Sequence, residues 1–199
     1  MDKNELLAKI KEEALLNHVP ILQDVSLNFI ETILDIKRPN RILEVGTAVG
    51  YSASCFSKYL SGENPKIVSI EIKKEMYDIA TKNIKDLGLD DKIEIINADA
   101  TTYLKEMNDN FDVIFIDAAK GQYLVYLNEA IRMANDNAVI IADNVYFKGR
   151  VLSGYNEHRH RTATNRLREY LRIIDEDERL HSTVLNIGDG VAVSVVHKK

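Results

Sequence analysis

The sequence predicts an α/β protein: a mostly parallel sheet with helices on both faces, closed by an antiparallel hairpin at the C-terminal end. Three observations predict it. Five short apolar runs recur between helix-like stretches. The runs are continuous rather than alternating, the pattern of strands buried on both faces. The stretch HSTVLNIGDGVAVSVVHK holds two further strand-like runs joined by Gly188-Asp189-Gly190, a hairpin signal. The architecture is therefore Rossmann-like, and 199 residues suit one domain, 1–199, with a sizeable core.

The elements follow in order. Residues 1–38 read as an N-terminal helical cap, packed outside the sheet or over its C-terminal edge. Its start, MDKNELLAKIKEEALL, is charged and amphipathic, with no apolar core of signal-peptide length. No run of ~18 apolar residues occurs anywhere. The expectation is a cytoplasmic protein without membrane contact. RILEV (41–45), KIVSIE (66–71), KIEIIN (92–97), DVIFID (112–117) and AVIIAD (138–143) read as buried strands. Helix-like segments cover roughly 50–60, 73–87, 100–107, 121–135 and 162–175. The single cysteine, Cys55, excludes an internal disulfide and a multi-cysteine zinc site. It falls on an apolar helix face and reads as a small buried hydrophobe. A net charge of −5 means that any polyanion must be met by a local basic patch.

In such sheets ligands bind beyond the carboxyl ends of the strands. Glu44, Glu71, Asp99, Asp117 and Asp143 all fall there. One acid at such a place is often a helix N-cap; five in register are hard to attribute to capping alone. The first strand runs into EVGTAVGYS (44–52), where Gly46 and Gly50 let backbone approach a ligand closely. Ser52 stands where dinucleotide binding needs its third glycine, and the Gly-Lys-Ser/Thr of a P-loop is missing. Glu44 beside this loop disfavours phosphate and favours a cationic ligand. Glu71, about 20 residues past the loop, can hold ribose hydroxyls. Ribose plus positive charge without phosphate describes S-adenosylmethionine.

Set in this order, ILEVGTAVGYSA, VSIEIKKEMYDIA, NADA, FIDAAK, IADNV and IGDGVAVS resemble the class I S-adenosylmethionine-dependent methyltransferases. More narrowly, they resemble the metal-dependent O-methyltransferases that include catechol and caffeoyl-CoA enzymes. The resemblance implies that Glu44, Gly46, Thr47, Tyr51 and Ser52 cradle the methionine part of the cofactor. It implies that Glu71 binds ribose, that Asp99 and Ala100 lie near adenine, and that Val19 and Asp117 also contribute to the cofactor site. Asp117, Asp143 and Asn144 resemble the family's metal triad. Three hard oxygen donors without His or Cys suit Mg²⁺, Mn²⁺ or Ca²⁺ rather than zinc. Lys120 matches the family's general base. The family also implies a homodimer.

The segment FKGRVLSGYNEHRHRTATNRLREYLR (147–172) sets seven cations against two acids. Part of this is an ordinary solvated helix face with i,i+4 pairs. Arginine in place of lysine favours planar, bidentate phosphate contacts. Lys148, Arg150, Arg159, Arg161, Arg166 and Arg168 are the candidate RNA-binding residues, with Tyr155, His158 and His160 available for stacking or hydrogen bonding. The chain has no tryptophan to wall a small catechol ring, and Ala118-Ala119 leave room after Asp117. NHVPIL, ILEVGTAVGYSA and RHRTATNRLREY resemble the bacterial tRNA 5-hydroxyuridine methyltransferases. That resemblance implies a wobble base splayed from the anticodon loop, with its 5-hydroxyl methylated to 5-methoxyuridine. Two other readings stand beside it: a small-molecule O-methyltransferase acting on catechol-like diols, and a non-catalytic S-adenosylmethionine-binding protein.

Overall fold

The computed structural model describes residues 2–153 and 158–198. Tyr155, a stacking candidate, and Glu157 lie outside the described residues. The chain groups into two compact units, Met1–Ala100 and Thr101–Lys199.

In the first unit, α1 (Lys3–Leu16) opens on a capping box. The Glu5 backbone N–H donates to Asp2 Oδ1 at 2.8 Å, and the Asp2 N–H donates to Glu5 Oε2 at 2.9 Å. After α2 (Asp24–Lys37), Arg38 takes a left-handed conformation and Pro39 stops the helix. Strands β1 (Arg41–Val45), β2 (Lys66–Glu71) and β3 (Ile93–Asn97) are parallel, in the order β3-β2-β1. Between them lie α3 (Tyr51–Phe56) and α4 (Lys74–Asp86). Ile42, Leu43 and Ile67 are fully buried, as the continuous apolar runs require. Gly50 has φ +80°, and a Cβ there would meet Ala80 Cβ at 3.4 Å. Glycine thus sets both the turn into α3 and its closeness to α4.

Helix α5 (Ala100–Glu106) leads into the second unit. Its strands are β4 (Phe111–Ile116), β5 (Ala134–Asp143), β6 (Leu180–Leu185) and β7 (Val191–Val196). Their order is β4-β5-β7-β6, with β4 and β5 parallel and β7 antiparallel to both neighbours. Helix α6 (Tyr123–Met133) crosses from β4 to β5, and α7 (Arg161–Glu176) precedes the hairpin. Thr164, Leu167, Tyr170 and Ile174 form the buried stripe of α7.

One boundary departs from expectation. The helix pattern predicted to run to 135 stops at Met133, and β5 begins at once with Ala134. Pairing then jumps from Phe111↔Ala134 to Val113↔Val139. The polar Asn135-Asp136-Asn137 makes the bulge: Asn137 sits at φ +60°, and the Asn135 amide donates to Asp112 Oδ1 at 2.8 Å. Among the described residues no helix is long and apolar enough to cross a membrane.

Candidate active site

In the first unit, the loop after β1 is organised from beneath by a buried carboxylate. Glu44 is fully buried. Its Oε1 accepts from Ser52 Oγ at 2.5 Å, and its Oε2 accepts from Ser69 Oγ. The Thr47 and Ser69 hydroxyls lie 2.5 Å apart. A buried carboxylate needs hydrogen-bond donors, and the Ser52 and Ser69 hydroxyls supply two of them. What the loop offers outward is backbone, from Gly46 at φ +103° through Ala48 at φ +47° to Gly50. Sequence reading named Glu44 but missed Ser69, whose place inside an apolar strand was the available signal.

Tyr51, also expected at the cofactor site, lies at the start of α3. It is buried and hydrogen-bonded to Cys55, and it feels Asp24 and Glu31 of α2. Its side chain serves the packing of α3 on α2. Burial first, then the Cys55 neighbour, raises the Tyr51 phenol far above its ordinary value. Burial, followed by Glu31, pushes the Cys55 thiol up to about 12. Cys55 is thus the inert buried hydrophobe that was expected.

Glu71, at the end of β2, ties two segments together. Its Oε2 accepts from the Ala48 N–H at 2.9 Å and its Oε1 from the Lys73 N–H at 2.8 Å. Each carboxylate oxygen has a second lone pair, so the residue can still accept from a ribose diol. The next strand supports it: the Asn97 amide donates to the Glu71 carbonyl at 2.8 Å. Asp99 is exposed, Ala100 is buried at the start of α5, and Val19 is half-buried.

In the second unit, β4 and β5 deliver Asp117, Asp143 and Asn144 to one place. Asn144 Nδ2 lies 3.0 Å from Asp143 Oδ2 and 3.5 Å from Asp117 Oδ1. Asn144 sits at φ +57°, a left-handed conformation that asparagine tolerates and that turns its side chain back on the strand ends. Asp143 is only 1% exposed. Lys120, in a short 3₁₀ turn before α6, donates from Nζ to Asp117 Oδ1 at 2.8 Å and to the Asp143 carbonyl at 3.2 Å. Two carboxylates and one amide meet here, and Lys120 pairs with the carboxylate of Asp117. An amide turn of Asn144 would add its oxygen to theirs. This donor set, oxygen throughout, fits a hard divalent cation. Two acids and one amide suffice, although no group of three His, Cys, Asp or Glu side chains suited to a metal occurs among the described residues.

Sequence reading missed Tyr123. Its hydroxyl accepts from Lys120 Nζ at 2.5 Å and donates to the Asp143 carbonyl at 2.8 Å. It is fully buried, and burial first, then Asp117 and Asp143, holds the phenol protonated well above its ordinary value. The signal lay three residues after Lys120, on the same side of the turn.

The basic segment divides. Arg168, expected among the RNA-binding residues, staples the loop: its guanidinium donates to the carbonyls of Val151 at 3.1 Å, Arg150 at 3.2 Å and Ser153 at 2.5 Å. Arg150 lies 5.2 Å from the Phe147 ring centre and so faces its own loop. Arg166 pairs with Glu169 at 3.0 Å on the surface of α7. Lys148, Arg159 and Arg161 are exposed. Phe147 meets the His160 ring edge-on at 5.5 Å, which joins the loop after Asn144 to the start of α7. Asp189 of the hairpin accepts from the Lys148 N–H at 2.6 Å, fixing the same loop from the other side.

Comparison with known proteins gives a consistent picture. The sequence model of a family described as O-methyltransferase matches residues 1–198. A catechol O-methyltransferase of Niastella koreensis is 29% identical over 84% of this chain and 78% of its own length. A caffeoyl-CoA O-methyltransferase of Populus kitakamiensis is 28% identical over 83% of this chain and 73% of its own. The crystal structure of an O-methyltransferase from Bacillus cereus, in complex with S-adenosylhomocysteine, superposes with a TM-score of 0.86 at 26% identity. It covers 96% of this chain and 90% of that one.

Proposed function

The chain belongs to the O-methyltransferase family, and on that premise we propose that it methylates the 5-hydroxyl of 5-hydroxyuridine at the tRNA wobble position. It is an S-adenosylmethionine-dependent O-methyltransferase with the Rossmann-like methyltransferase fold. S-adenosylmethionine brings the methyl group on a good leaving group, so the protein's tasks are binding, orientation and proton removal. The first unit binds: Glu71 accepts from the ribose hydroxyls while it holds the Ala48 amide in place. The second unit prepares the acceptor. Asp117, Asp143 and Asn144 would hold a divalent cation, which when bound supplies the Lewis acidity that makes a substrate hydroxyl acidic. Lys120, as the neutral amine, receives the hydroxyl proton at Nζ, and the ammonium so formed stands 2.8 Å from the Asp117 carboxylate.

The observation that supports RNA as substrate is the wiring of the basic segment to the triad. The loop leaving Asn144 is stapled by Arg168 and joined by Phe147 to His160. Lys148, Arg159 and Arg161 are exposed cations, and on this reading they meet phosphates around a base presented to Asn144 and Asp143. A catechol-like acceptor is the second reading, favoured by the likeness to catechol O-methyltransferases. Purified enzyme, offered unmodified tRNA, 5-hydroxyuridine tRNA and catechol in parallel, separates the two. The RNA reading predicts methylation of hydroxylated tRNA at a kcat/KM well above that for catechol. Turnover of catechol with hydroxylated tRNA ignored sinks it.

A further inference from the structure

We propose that Tyr123 is a positioning residue for Lys120, holding its amine at one point beside the triad. A lysine side chain has four rotatable bonds, and only fixed acceptors keep its end in place. Three acceptors surround Nζ: Asp117 Oδ1 at 2.8 Å, the Tyr123 hydroxyl at 2.5 Å and the Asp143 carbonyl at 3.2 Å. Protonated Nζ can donate to all three, whereas the neutral amine that takes the substrate proton keeps two of these bonds and has its lone pair free. The direction of the tyrosine's own bond is settled by chemistry. The Asp143 carbonyl at 2.8 Å and the Ile116 carbonyl at 3.4 Å can only accept. The phenol hydrogen therefore points to Asp143, and the oxygen's lone pair is left for Lys120.

The post itself is rigid. The Tyr123 ring is 0% exposed. It meets Tyr170 edge-on at 5.6 Å and Tyr126 at 6.4 Å. A phenylalanine would fill the same space, so packing alone does not require the hydroxyl. Residues 120 and 123 fall on one side of the turn into α6, where side chains three apart meet. Tyr170 supplies an internal contrast. Its buried hydroxyl has no hydrogen-bond partner among the described residues.

The inference rests on Lys120 as proton acceptor, and its test is a double-mutant cycle. Wild type, Lys120→Ala, Tyr123→Phe and the double variant are assayed on whichever acceptor the wild type methylates, tRNA or catechol. Tyr123→Phe lowers kcat by about ten- to hundred-fold, with KM for S-adenosylmethionine within about two-fold. In the Lys120→Ala background the same change has no further effect, because nothing remains to be positioned. Mn²⁺ affinity, titrated calorimetrically without substrate, stays within about two-fold in Tyr123→Phe. Tyr170→Phe keeps wild-type kcat and controls for the loss of a buried hydroxyl. Wild-type kcat in Tyr123→Phe overturns the proposal. So does full additivity in the double variant, or a fall in Mn²⁺ affinity that matches the fall in kcat. If Lys120→Ala alone keeps wild-type kcat, it is the base assignment that fails, and the positioning role falls with it.

Discussion

Glu71 accepts two backbone N–H bonds, from Ala48 and Lys73. Its removal costs ligand hydrogen bonds and loosens the loop that surrounds the ligand. Glu71→Ala is expected to weaken S-adenosylmethionine by about 1.5–3 kcal/mol, read by titration calorimetry. Unchanged affinity would remove the ribose role. Asp143 carries the metal claim. EDTA is expected to abolish methyl transfer, Mg²⁺ or Mn²⁺ to restore it, and Asp143→Ala to mimic the chelator with the fold retained by circular dichroism. Full activity in metal-free enzyme contradicts this. Cys55 gives a third check. With its thiol at about 12, only about one part in ten thousand is thiolate at pH 8. Native protein should resist alkylation and react fully in guanidinium; rapid native labelling would mean that the α2–α3 packing is wrong.

Some of these residues were visible in the sequence because a buried strand that ends in an acid breaks its own pattern. Glu71, Asp117 and Asp143-Asn144 announce themselves in this way. Tyr123 does not, because YLVYLNEAIRM reads as an amphipathic helix whose aromatics are core. Nothing local shows that one hydroxyl turns back toward Lys120. Glu44 was visible as a residue but its partner Ser69 was not, since it lies 25 positions away.

At the scale of elements, strand limits were legible to within about one residue for β1 to β4, because apolar β-branched runs stop where polar ones begin. The start of β5 was not. Asn135-Asp136-Asn137 interrupts the run, and only the pairing of Ala134 with Phe111 reveals the strand beyond the bulge. The basic segment was legible as charge, while its division into staple and surface depends on which carbonyls lie within reach. That division is measurable. Arg168→Ala should lower stability by about 1 kcal/mol in urea unfolding, because part-buried loop carbonyls lose a charged donor. The Arg159→Ala/Arg161→Ala pair should leave stability unchanged and weaken tRNA binding, each loss flattening the log–log salt slope by somewhat under ~1 unit. Equal loss of tRNA binding with an unaltered salt slope would show that these arginines meet no phosphate. The hairpin turn belongs to the same device: a Cβ at Gly190 would stand 2.6 Å from the Tyr146 ring, in a residue at φ +86°. Gly190→Ala should therefore displace the loop after Asn144 and lower both stability and metal affinity. Wild-type metal affinity in a folded Gly190→Ala protein would show that the loop does not bear on the triad.

For the whole molecule, the net charge of −5 makes the exposed cations of 148–161 an exception rather than a general polyanion surface. Family membership sets the reaction, while the proposed RNA substrate rests on the second unit's loop and helix. The measurement that tests this most directly is nucleoside mass spectrometry of tRNA from a strain lacking the gene. The account predicts that 5-methoxyuridine disappears, 5-hydroxyuridine accumulates, and wild-type protein restores the methylated base where Asp143→Ala does not. Undiminished 5-methoxyuridine in the deleted strain would contradict it.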